Sequence, residues 1–105
     1  MVAAAAVVAL AGLGVAAESP RGLTIQLFQF RPGQAEVAKG TAVTWTNQDD
    51  ITHTVTSGTP EHLDGRFAAR LAGKGATATV EFKESGVYPY FCERHPSMRG
   101  EIRVP

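Results

Sequence analysis

The sequence predicts an all-β domain: a Greek-key β-sandwich of about seven to eight strands behind an N-terminal apolar leader. Three observations carry this. From Gly22 onward, short runs rich in Val, Thr, Ile and aromatics are broken by Gly, Pro, Asn and Asp at intervals of roughly ten residues. Several of these runs alternate apolar and polar side chains with a period of two. Outside the leader, no stretch long enough for a helix shows a helical period.

The leader is Met1 to Ala17. It carries no charged side chain and is almost wholly Ala, Val, Leu and Gly. That is the length of a secretory apolar region and short for a membrane span. Val15-Ala16-Ala17 places small residues where a signal peptidase reads, so cleavage before Glu18 is expected. No Lys or Arg follows Met1, so the basic front of a signal peptide is missing, as in a truncated leader. The competing reading is an apolar anchor that stays in place. The domain is then 18–105.

The first strand is expected over Leu23 to Phe30. Ile25 and Leu27 alternate, and so do Phe28 and Phe30, but the two pairs are out of phase. A bulge near Leu27-Phe28, or burial of both faces, would account for this. Arg31-Pro32-Gly33 makes a turn, Glu36 to Ala38 a brief extended piece, and Lys39-Gly40 another turn. Thr41 to Asn47 puts Val43 and Trp45 on one face. A polar turn at Asn47-Gln48-Asp49-Asp50 precedes a short strand from His53. Gly58 to Gly75 is the least regular part and could hold one helical turn around Arg66 to Leu71. Ala78, Val80 and Phe82 face inward on the next strand. Tyr88, Tyr90 and Cys92 share one face of the strand Val87 to Cys92. Ile102 and Val104 mark the last strand.

Charge excludes some functions. Lys plus Arg and Asp plus Glu are ten each, for a net charge of zero. Nothing there attracts nucleic acid or an anionic membrane, and no stable membrane association is expected once the leader is removed. The single cysteine cannot close an internal disulfide. A core this small gains from a metal bound only in the native state.

That cysteine opens the stretch Cys92-Glu93-Arg94-His95-Pro96-Ser97-Met98. One short loop thus presents a thiolate, an imidazole and a thioether. Copper cycling between two oxidation states suits such donors: two imidazoles and a thiolate in a plane, with a weak axial thioether. His53, in the polar turn after an apolar strand, is the candidate second imidazole. The predicted metal set is therefore His53, Cys92, His95 and Met98, around one copper ion that shuttles one electron.

Each residue alone has a plainer reading. A lone Cys in a strand is usually a small buried hydrophobe, and a lone Met is core filler. Zinc competes, since Cys-x-x-His is half of many zinc sites, but it would recruit His62 and leave Met98 idle. His62 in its polar loop reads as a solvent histidine. Haem attachment lacks its second Cys. A catalytic thiol lacks an acidic orienting group, and an oxidase lacks further histidine clusters, so no enzyme is expected. A copper chaperone or storage module of the same fold is the alternative to an electron carrier.

The stretches Val43-Thr44-Trp45-Thr46-Asn47, His53-Thr54-Val55 and Gly86 to Ile102 resemble a cupredoxin of the plastocyanin–pseudoazurin type, with type 1 copper. The two-residue interval between His95 and Met98, with Pro96 between, resembles the amicyanin branch. The resemblance implies a periplasmic carrier, with His53, Cys92 and His95 as equatorial ligands and Met98 axial. It implies that His95 reaches the surface through an apolar patch, with Pro96 and Pro60 around it, and hands electrons to redox protein partners. A monomer is expected. The family usually has Asn where this chain has Thr54. The Thr54 amide can still reach the Cys92 sulfur, and its hydroxyl can take part of the amide side chain's role beside the metal.

Overall fold

The structure is a computed structural model and describes residues 20–105. The expected leader lies outside the described residues. Those residues form nine strands and no helix, so none is long and apolar enough to cross a membrane. The strands are β1 (Pro20–Gln26), β2 (Gln29–Arg31), β3 (Gln34–Glu36), β4 (Thr41–Asn47), β5 (His53–Thr59), β6 (His62–Leu71), β7 (Thr77–Phe82), β8 (Gly86–Cys92) and β9 (His95–Val104). One sheet runs β2-β1-β4-β7, the other β3-β9-β8-β5-β6. β1 pairs parallel to β4, and β3 parallel to β9, so the chain crosses between sheets rather than meandering.

The core lies between the sheets because alternate side chains on each strand face inward. Leu23 and Ile25 of β1, Val43 and Trp45 of β4, Tyr90 of β8 and Ile102 of β9 are fully buried. Trp45 is the centre of an aromatic cluster with Phe67, Phe82 and Tyr90. Its Nε1 donates to the Tyr90 hydroxyl at 3.3 Å. Burial pushes the Tyr90 phenol up to about 12, against a smaller opposing effect of that hydrogen bond.

Two expectations are corrected. The phase break in the first strand is neither a bulge nor two-sided burial. Leu27 and Phe28 both have left-handed backbones, φ 53° and 61°, and form a two-residue turn between β1 and β2. Reversal at that turn pairs Ile25 with Phe30, and both are buried. The turn carries no glycine, the residue such positions favour, so its residues pass for continued strand. The predicted helical turn at Arg66 to Leu71 is instead part of β6. β6 is an edge strand whose outer residues face solvent, so only Phe67, Ala69 and Leu71 reveal its alternation.

Candidate metal centre

His53 opens β5 and Cys92 closes β8, and these are neighbouring antiparallel strands. Regular pairing therefore sets the two side chains at one end of the sandwich. The β8–β9 hairpin supplies His95 after the two-residue turn Glu93-Arg94, and Cys92 pairs directly with His95. Phe91 pairs with Arg99, so Pro96, Ser97 and Met98 are extra residues on β9. This bulge lets His95 approach Cys92 while Met98 turns back into the core.

Nδ1 of His53 lies 3.6 Å from Cys92 Sγ, and Nδ1 of His95 lies 3.7 Å from it. All three donor atoms fall within 4.8 Å of one another. A first-row ion about 2.3 Å from sulfur and about 2.0 Å from nitrogen, at about 120°, sets S and N about 3.7 Å apart. The residues thus fit one metal ion held by one thiolate and two imidazoles. His53 and Cys92 are fully buried, while His95 is partly exposed.

The Thr54 amide donates to Cys92 Sγ at 3.3 Å. Its hydroxyl accepts from the Glu93 amide at 2.8 Å and shares a hydrogen bond with Thr56 at 3.0 Å. One side chain thus ties β5 to the tip of the ligand hairpin.

Three participants escaped sequence reasoning. Asp49 lies 2.8 Å from His53 Nε2 and accepts from the Leu27 and Phe28 amides at 2.7 and 3.0 Å. Burial pushes its carboxyl up. Hydrogen bonds from the Phe28 amide, the His53 ring and the Leu27 amide outweigh burial and hold it below its ordinary value. Phe28 sets its ring edge-on to His53 and His95, with centroids 5.5 and 5.0 Å away. Asn47, fully buried, donates to the Ile51 and Leu71 carbonyls and accepts from the Asp49 amide, which shapes the turn before His53. Phe28 had one signal, the phase break. Asn47 stood in a stretch that carried the family resemblance but was given no role there, and Asp49 had no signal beyond the polar turn it occupies.

His62 and Pro60 are placed elsewhere. His62 pairs with Thr59, at the end of β5 remote from His53. Six strand steps, about 20 Å, separate them along the sheet. Pro60 lies in the same β5–β6 turn, so the expectation that it surrounds His95 is corrected. Pro96 is exposed beside His95.

An all-β sandwich with a thiolate and two imidazoles converging at one end defines a cupredoxin with a single type 1 copper site. Residues 18–105 match the model of the copper binding proteins, plastocyanin/azurin family, and the chain belongs to that family. It is 30% identical over 104 residues to amicyanin-alpha of Methylorubrum extorquens, across 96% of this chain and 87% of the relative. It is also 30% identical to plastocyanin of Scenedesmus fuscus, across 71% of this chain and 85% of that one. Among solved structures, a purple cupredoxin from Nitrosopumilus maritimus superposes with a TM-score of 0.74 at 27% identity. That likeness covers 81% of this chain and 99% of the other. An amicyanin mutant in its reduced state superposes at 0.70 with 28% identity, covering 82% of each chain. Family members are electron carriers rather than enzymes, in keeping with a site for one metal ion.

Proposed function

We propose that this protein is a monomeric periplasmic one-electron carrier in which His53, Cys92 and His95 would hold copper, with Met98 as a weaker fourth donor. The observation that carries this is the spacing of the three donors, 3.6 and 3.7 Å from sulfur to nitrogen. Copper supplies the one-electron couple. The chain's own residues do the rest. Cys92 offers a thiolate kept from water, and the Thr54 amide moderates its basicity. Met98, buried three residues after His95, offers a soft donor from within the core.

His95 is the only one of the four with appreciable exposure, so it is the route by which electrons enter and leave. Leu27, Phe28 and Ile51 are exposed apolar side chains on the turns at this end. With Pro96 they make a water-shedding rim suited to brief contact with redox proteins. The apolar leader supports export to the periplasm.

Adding Cu(II) to purified protein tests the reading. A strong thiolate-to-copper absorption is expected, lost in Cys92→Ser. A chaperone or storage module would surrender its copper readily to a chelator, whereas a carrier with two buried donors should release it slowly. Fast release with no reversible voltammetric wave would turn the reading toward storage.

A further inference from the structure

Asp49 is placed to do more than shape a turn. Its carboxylate takes three donors: the Leu27 and Phe28 amides and His53 Nε2. The two amides belong to consecutive left-handed residues, whose N–H groups converge and form a small anion-binding nest. Asp49 is held in turn by its own amide bonding to the Asn47 side chain at 2.9 Å. The Phe28 ring, fixed by the same turn, stands edge-on to both imidazoles.

An ionised carboxylate only accepts hydrogen bonds, so the ring proton of neutral His53 belongs on Nε2. Nδ1, facing Cys92 Sγ, is then left with its lone pair. We propose that Asp49 is a positioning residue that locks His53 in the Nε2–H tautomer and binds the exposed Leu27–Phe28 turn to the ligand cluster as one unit. Carboxylate support also makes the imidazole a stronger donor, which favours the oxidised metal.

The tautomer part stands on the metal-free protein; the potential and affinity parts rest on the copper reading above. In metal-free protein, long-range proton–nitrogen NMR should show one His53 tautomer, Nε2–H. In Asp49→Ala the Nδ1–H form should appear, and amide exchange at Leu27 and Phe28 should quicken at least about tenfold. On copper loading, the variant's reduction potential should rise and its affinity fall about 10- to 100-fold. Asp50→Ala, next to it but exposed, should move none of these. Should Asp49→Ala lose its fold, Asp49→Asn keeps the shape but only one accepting oxygen, so exchange at the Leu27 or the Phe28 amide should still quicken. A single Nε2–H tautomer with unchanged amide exchange in the folded variant would overturn the inference. Failure of the native protein to take up copper would overturn the proposed function but leave the tautomer result to decide this one.

Discussion

Thr54 shows how much one side chain can hold. Its hydroxyl accepts from the Glu93 amide, and its own amide donates to the Cys92 sulfur. Thr54→Val keeps the second bond and orphans the first donor. We expect a loss of about 1–2 kcal/mol in urea unfolding of the metal-free protein. Thr54→Asn keeps an acceptor with a different reach and should shift the reduction potential; an unchanged voltammogram would separate Thr54 from the metal's surroundings. Tyr90 gives a prediction in alkali. Its phenol is pushed up to about 12 when folded, against about 10 unfolded. The neutral form is favoured in the fold, so its contribution is full below pH 10 and fades as pH rises toward 12. Thermal unfolding across that window should show on the order of 2 kcal/mol lost, a loss absent in Tyr90→Phe. Cys92, His95 and Met98 stood out in the sequence because their types are rare and their spacing tight. Asp49 did not, because an Asp in a polar turn is ordinary and its partners Leu27 and Phe28 lie more than twenty residues away.

The β8–β9 hairpin is where backbone geometry and chemistry meet. Tyr90 pairs with Gly100, and a Cβ on Gly100 would run into the Tyr90 ring. The ring cannot yield, since Trp45 and Phe30 pack against it. Gly100→Ala should therefore cost about 1–3 kcal/mol and broaden the visible copper band, because the bulge after His95 is anchored by this pair. Equilibrium denaturation together with the absorption spectrum checks both. The hairpin strands were legible from Tyr88, Tyr90 and Cys92 on one and Ile102 and Val104 on the other, while the bulge at Pro96 to Met98 interrupts any alternation in the first part of β9. β6 was not: as an edge strand with most of its residues in solvent, it has no run of apolar partners to announce it. The β1–β2 reversal was visible only as a break in phase, because its left-handed residues are not the glycine or asparagine that normally mark such a turn.

Across the molecule, metal and fold are coupled. Copper at a thousandfold excess over its Kd should stabilise the native state by about 4 kcal/mol. For a domain of this size that is a rise in Tm of roughly 15–30 °C, reversed by a chelator. Differential scanning calorimetry with and without copper reads it directly. Acid should act in the other direction. The Asp64 carboxyl is pushed up by burial, but hydrogen bonds from Ser57 and the Arg66 amide, with the charge on Arg66, hold it below its ordinary value. Asp49 is lowered likewise. Carboxyls depressed in the fold stabilise it above their unfolded value, about 3.9, and that support is lost as pH falls through the folded values. Metal-free protein should thus weaken in that acid range, less so in Asp64→Asn. The fold class was readable because period-two patterning recurs at Thr41 to Asn47, Ala76 to Lys83 and Val87 to Cys92, even though most of Gly58 to Gly75 lacks it.

His53 and Cys92 stand on adjoining strands of one sheet, so the gap between them is a property of the lattice of backbone hydrogen bonds. A clamp with its jaws cast into the same plate does not adjust to its guest. Nickel, which seeks a square, or manganese, which seeks six oxygens, must accept the shape it is given. Such substitutes should therefore adopt strained, low-coordinate spectra rather than widen the jaws.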